Sequence, residues 1–269
     1  MLIWVTALHC EAKPIIDHYR LKKSPSHHAF DIYLDDNTVC VISGIGRIAA
    51  AAATAWIAGI NRDEPSIAWI NIGTAGSATH KIGTALSINK ISDDVSNQHF
   101  YPVPLHNCAL ESAHCQTLGQ ASTDYQAGQI YDMEASAFFD TATRFSSAEL
   151  VHCVKIISDN PSQQTGRDKA RISELINAHI AELADFVQSI GYLNDQVATL
   201  EIKQSDWMKF LACAHFTQTQ KTRLNKSLRF LLSQQIQTDD LIAEAKDLRS
   251  ADRIIAQLES YCHQRIQDL

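Results

Sequence analysis

The stretch "DIYLDDNTVCVISGIGRIAAAAATAWIAG", residues 31–59, holds two kinds of local order in one run. Apolar segments flank Asp35-Asp36-Asn37, a turn-forming triplet, so residues 31–46 predict a β-hairpin whose second strand stops at Gly44 and Gly46. The alanine-rich run from 47 to 59 then predicts a helix, because alanine is the best helix former and Gly59 bounds the far end. A strand that feeds a helix through a glycine turn is a building unit of α/β proteins.

The same grammar recurs on either side. "LIWVTAL" (2–8) reads as a buried strand ending at Glu11, and "SIAWINIGTAG" (66–76) as a strand closing in glycines. "TALSINKI" (84–91) and "LVHCVKIISD" (150–159) read as two more strands, the last halted by Pro161. Beyond Gly191 there is no glycine, and helical patterns take over. Ser205, Thr238 and Ser250 sit where N-caps are expected, and Ile254, Ile255, Leu258, Tyr261 and Cys262 form one apolar stripe at helical spacing. The chain is therefore expected to hold an α/β domain over 1–193 and a helical extension over 194–269.

Composition narrows the function classes. A content of 45% hydrophobic and 20% charged residues suits a folded chain with a sizeable core. The formal charge of −7 argues against a broad nucleic-acid footprint, and no apolar run is long enough to span a bilayer. The apolar start lacks a basic segment and is interrupted by Glu11, which suits a first strand better than a signal peptide. Seven scattered cysteines without a CxxC pair point to reduced thiols in the cytoplasm. Twelve histidines raise the question of a metal, but HExxH is absent and His27-His28 fall in a polar loop, so none is expected.

"GIGRIA" (44–49) fits the GxGxxG/A dinucleotide fingerprint, yet no acidic residue closes the next strand to hold a ribose; Asp63 and Glu64 come before it. A second glycine turn, "NIGTAG" (71–76), offers another place for backbone to approach a ligand, with Thr74 adding a hydroxyl. Three acids, Glu11, Glu134 and Asp159, each follow or close an apolar run, and strand ends border the ligand crevice in α/β sheets. In "YDMEASAFFD" (131–140), Glu134 either favours the start of a helix electrostatically or offers two oxygens to a vicinal diol.

In this order, "VTALHCEAKPI", "SGIGRIAAAAAT", "INIGTAGSATHKIG", "YDMEASAF" and "KIISDNP" resemble the nucleoside phosphorylase-I superfamily. The likeness is nearest to 5′-methylthioadenosine/S-adenosylhomocysteine nucleosidases and futalosine-hydrolase-like proteins, and covers about residues 1–193. It implies a central twisted mixed β-sheet flanked by helices, a homodimer, a small nucleoside ligand and no cofactor. It assigns Glu134 to the ribose diol and Met133 to packing on the sugar. Glu11 becomes the carboxylate that orients and activates water, and Asp159 the protonated carboxyl that donates to the leaving purine. Ile45, Thr74, Ala75, Gly76 and Ser158 line the site. Such a division of labour needs Glu11 charged and Asp159 neutral.

The chain departs from that pattern in places. His9-Cys10 stands where two more acids are common, Asp132 replaces a glutamate, Lys155 an arginine and Ser77 a glycine. Residues 113–130 are shorter than the segment that wraps the base. Two alternatives stay open: a phosphorylase, with Arg47 contacting phosphate as co-substrate, and a non-catalytic nucleoside-binding module whose helical tail engages a partner.

Overall fold

Strand β1 (Leu2–Thr6) is apolar up to its last residue, as suits a strand covered on both faces. Ile3 and Val5 enter one buried apolar cluster and Trp4 another, so the alternation of the strand sends them to opposite sides. In the computed structural model the described residues are 1–269 without 27–28, 63, 65, 106–107, 164–167, 201 and 268–269. His27, His28 and Asp63, singled out above, lie outside the described residues. The chain divides into two units, Met1–Leu193 and Asn194–Leu269.

The first correction comes at once. The strand expected to reach Glu11 stops at Thr6, and Glu11 lies in the first turn of α1 (His9–Tyr19). Its carboxylate accepts the N–H groups of Ala7 and Leu8 at 3.0 and 2.9 Å, so the helix begins before the acid and is capped by it. Pro14 sits inside α1 and has no N–H for the Cys10 carbonyl, which instead accepts the Ser173 hydroxyl at 2.6 Å.

Strands β2 (Lys22–Lys23), β3 (Asp31–Leu34) and β4 (Thr38–Ile42) follow, then α2 (Arg47–Ile60). The β3–β4 turn falls at Asp35, whose side chain accepts the N–H groups of Asn37 and Thr38 at 2.9 and 2.7 Å. Next come β5 (Ala68–Ser77), β6 (Ala85–Asp93), β7 (His99–Phe100), β8 (Glu111–Thr117) and β9 (Ile130–Asp132). Helix α3 (Ala135–Ala142), β10 (Val151–Asp159), α4 (Lys169–Asn177) and α5 (Ile180–Ala198) complete this part.

Among the described residues, ten strands form one mixed sheet. β1 lies between β4 and β5 and is parallel to both, while β3 and β2 continue antiparallel beyond β4. β5 forks: its start pairs with β1, and its end with β9, antiparallel. It also runs parallel to β10, and the pairings β10–β6, β6–β8 and β8–β9 return to β9, closing a ring. This is not the all-parallel sheet of dinucleotide-binding enzymes. α2 and α3 contribute to the cluster that holds Ile3 and Val5; α1, α4 and α5 contribute to the one that holds Trp4.

The second unit contains α6 (Gln204–Cys213), α7 (Gln218–Ser233), α8 (Thr238–Leu248) and α9 (Ala251–Gln267) around its own core, with Phe210, Leu228, Ile242 and Ile254 buried. Of the expected stripe, Ile254, Ile255 and Leu258 are buried, and Tyr261 and Cys262 pack at its margin. Ser250 precedes α9, and its carbonyl accepts the Ile254 N–H. The other two caps are displaced: Ser205 is inside α6 and Thr238 is the first residue of α8. The Thr238 hydroxyl donates to Asp206 at 2.8 Å, so it serves a side chain rather than a helix end. Thr217, not foreseen, forms a capping box with Gln220.

Candidate active site

The fork in β5 builds the site. Gly76 lies opposite Tyr131 of β9 and opposite Asp159 of β10, so one residue joins the two strand ends that carry the acids. The β10 register slips between Ile157 and Asp159, leaving Ser158 as an extra residue that re-aims the strand's last carboxylate. The Ser158 hydroxyl donates to Asp159 at 2.5 Å.

A cavity of about 190 Å³ opens at this junction. It is lined by Glu11, Ile45, Thr74, Ala75, Gly76, Met133, Glu134, Ser158 and Asp159, so the residues selected from the sequence meet in one place. Asp132, Tyr125, Tyr131, Leu8 and Leu118 also border it. Among the described residues, no lysine, arginine or histidine lines it.

Glu11 is buried and held at both oxygens. Oε2 accepts the Ala7 and Leu8 N–H groups, and Oε1 accepts the Thr74 N–H at 3.0 Å and the Thr74 hydroxyl at 3.2 Å. Gly73 makes room for it, since a Cβ there would stand 3.1 Å from Oε1.

Glu134 directly precedes α3, but its side chain does not cap the helix. Asp132 does so, accepting the Ala135 N–H at 2.8 Å and the Glu134 N–H at 3.3 Å. Glu134 is thereby turned toward the glycine turn of 44–46, where its Oε1 accepts the Gly46 N–H at 2.6 Å. Gly46 has φ +98°, a conformation that favours glycine, so the second glycine of "GIGRIA" serves a carboxylate. Burial and the neighbouring Asp132 charge push the Glu134 carboxyl up to about 7, against the pull of Lys155 and the Gly46 N–H.

Lys155 and Asp132, two residues at which the sequence departs from the pattern it resembles, complete each other. Lys155 is buried on β10 and pairs with the buried Asp132 at 2.8 Å. Burial would raise the Asp132 carboxyl, but Lys155 and hydrogen bonds from Thr117 and Ala135 hold it below the ordinary value. Burial would likewise lower Lys155, and Asp132 followed by Glu134 drives it up instead. Removing one partner would strand the other in a dry site.

Arg47 is committed elsewhere. Its Nη1 donates to Asp93 and to Asp94, both at 2.9 Å. Tyr125, which the sequence reading passed over, stacks on Tyr131 with ring centroids 5.3 Å apart. A Cβ on Gly76 would run into the Tyr125 ring, so this aromatic rests on bare backbone beside Asp159. Its signal was a lone aromatic in the small, polar run "QASTDYQAG" (120–128). Among the described residues, no three His, Cys, Asp or Glu side chains gather as a metal site, and no helix is long and apolar enough to cross a membrane.

No family model matches the sequence, and comparison with curated proteins finds no match. Solved structures do match. The apo 5′-methylthioadenosine nucleosidase of Arabidopsis thaliana aligns with TM-score 0.58 at 14% identity, over 70% of this chain and 95% of that one. The 5′-methylthioadenosine/S-adenosylhomocysteine nucleosidase from S. pneumoniae, with a transition-state inhibitor, gives 0.56 at 18% identity, over 71% and 100%. That from Neisseria meningitidis, in complex with methylthio-immucillin-A, gives 0.52 at 18%, over 70% and 97%. The chain thus has the nucleoside phosphorylase-like fold of these nucleosidases, as the sequence resemblance implied.

Proposed function

We propose that this chain is a nucleosidase that cleaves the N-glycosidic bond of a purine-type nucleoside with water as the nucleophile. The observation that carries the reading is the set of carboxylates Glu11, Glu134 and Asp159 on one cavity without a lining cation among the described residues. A phosphate co-substrate would meet uncompensated negative charge there. Arg47, its candidate ligand, is already held by Asp93 and Asp94.

In this reading Glu134 accepts hydrogen bonds from the 2′ and 3′ hydroxyls, and Met133 packs on the sugar. Glu11 orients the attacking water; the 3.2 Å contact from the Thr74 hydroxyl is the longest of its four and the easiest for water to share. Asp159 donates a proton to the departing base as the sugar develops oxocarbenium character, and Ser158 holds its carboxyl in position. Ile45 and the Thr74-Ala75-Gly76 turn complete the walls. The reaction so written uses no cofactor.

The resemblance further implies a homodimer. Ile45, Ile48 and Ile60 on and beside α2 are 58, 89 and 50% exposed, which supports a second copy as their cover; sedimentation velocity measures the assembly. The seven cysteines are all free thiols, in keeping with a cytoplasmic protein.

Base release from a panel of nucleosides, with and without phosphate, tests the activity. Free base and free sugar at equal rates in both conditions are expected. Strict phosphate dependence with a sugar phosphate as product would contradict water as nucleophile, and binding without cleavage would favour the non-catalytic module.

A further inference from the structure

Glu134 accepts the Gly46 N–H, yet the two residues are 88 positions apart and stand at the starts of different helices, α2 and α3. Both helices bury residues in one apolar cluster, but apolar contact is non-directional and tolerates a small slide. Asp93, the last residue of β6, supplies directional contacts to both helix starts. Its Oδ1 accepts Arg47 Nη1 at 2.9 Å, one residue after Gly46. Its Oδ2 accepts the Ser136 hydroxyl at 2.6 Å, two residues after Glu134. The acid is itself firmly seated. Oδ1 also accepts the N–H groups of Val95 and Ser96 at 3.0 and 2.8 Å and the Ser96 hydroxyl at 3.1 Å, which ties it to the turn between β6 and β7. Asp93 and Ser136 are both buried. Burial would raise the Asp93 carboxyl, but the Ser136 hydroxyl, the Ser96 N–H and Arg47 hold it well below the ordinary value. Hydrogen bonds to such a charged acceptor are the stronger kind.

We propose that Asp93 is a positioning residue for sugar recognition: through Arg47 and Ser136 it holds the Gly46 turn and the start of α3 at the separation that aims Glu134 into the cavity. This rests on the nucleosidase reading and adds a residue that does not itself line the cavity. Glu11 is held by Ala7, Leu8 and Thr74 instead, so the clamp acts on the diol rather than on the attacking water. The start of α3 is also held by Asp132 and Thr117, so loss of the Ser136 arm alone has a partial effect.

The readout is the ratio of kcat/KM on a ribonucleoside to that on the matched 2′-deoxyribonucleoside, measured well below the melting temperature of each variant. A merely structural role changes the active fraction, which cancels in this ratio. Asp93→Ala is expected to lower the ratio about three- to tenfold, the scale of one hydrogen bond, chiefly by raising KM for the ribonucleoside. Ser136→Ala and Arg47→Met should each give part of that loss, and their double variant should match Asp93→Ala, which keeps the test open if Asp93→Ala does not fold. Asp93→Asn should retain most of the ratio, since its oxygen can accept Arg47 and its amide can donate to the Ser136 hydroxyl. A ratio unchanged in the Arg47→Met, Ser136→Ala double variant, while Glu134→Gln lowers it, would overturn the clamp alone. A ratio untouched by Glu134→Gln would overturn the diol assignment, and absence of cleavage of either sugar by the wild type would overturn the nucleosidase reading, each taking this proposal with it.

Discussion

The two ends of the cavity hold the same side chain in opposite ways. At one end Glu11 accepts four hydrogen bonds, three of them from backbone N–H groups, and is fixed by the turn it caps. At the other end Glu134 accepts a single one among the described residues, from Gly46, with the Asp132 charge beside it. A carboxylate clamped by donors keeps its orientation whatever the ligand does. One left under-bonded next to a like charge gains most when a ligand brings hydroxyl donors. The difference supports the proposed roles, positioning for Glu11 and recognition for Glu134.

The largest effects should come from removing the proposed proton chemistry. Glu11→Gln and Asp159→Asn keep shape but lose the ability to take or give a proton, so kcat should fall about 10²–10⁴-fold. Glu11→Gln should in addition destabilise the fold, because an amide cannot accept four donors; Asp159→Asn should leave the melting temperature closer to wild type. If both lose stability equally and kcat does not move, the contrast between the ends is structural only.

Next in size is the pair beneath Glu134. Lys155→Met leaves Asp132 charged and buried, and Asp132→Asn leaves Lys155 so, each expected to cost about 3–5 kcal/mol in denaturant unfolding. The double variant should recover much of that loss. A loss in the double variant equal to the sum of the singles would dissolve the pair.

A smaller effect is the pH profile. Glu134 titrates near 7 in the folded chain, against an ordinary value of 4.5. The folded state therefore holds the extra proton between about 4.5 and 7, and this group's contribution to stability falls as pH rises across that window. If the ionised form receives the diol, kcat/KM for ribonucleosides should rise through about pH 7, and Glu134→Gln should lack that limb. Smallest is Gly73→Ala, whose Cβ would press on Glu11 at 3.1 Å; about 1–2 kcal/mol is expected, with kcat reduced more than KM is raised.

Much of this was legible in the chain. The hairpin at Asp35, the alanine helix and the strand ending at Asp159 are local patterns, and local patterns survive folding. The start of α1 was misread because an acid after an apolar strand looks like a strand end, while three-dimensionally it caps the helix that has already begun. The partnership of Lys155 with Asp132 was invisible, since a lysine inside "VHCVKIIS" has no local reason to be there. The register of β5 against both β9 and β10 brings the two segments together. Tyr125 was missed for the same cause: its seat is the bare backbone of Gly76, about 50 residues earlier in the chain.

The central claim, that Glu134 is the ligand of the sugar hydroxyls, is tested by measuring kcat and KM of wild type and Glu134→Gln on matched ribo- and 2′-deoxyribonucleosides. The account predicts that the substitution penalises the ribonucleoside about tenfold more than the 2′-deoxy compound, with part of the loss in KM, because one of the two hydroxyl contacts is already missing from the latter. Equal penalties on both sugars would contradict it.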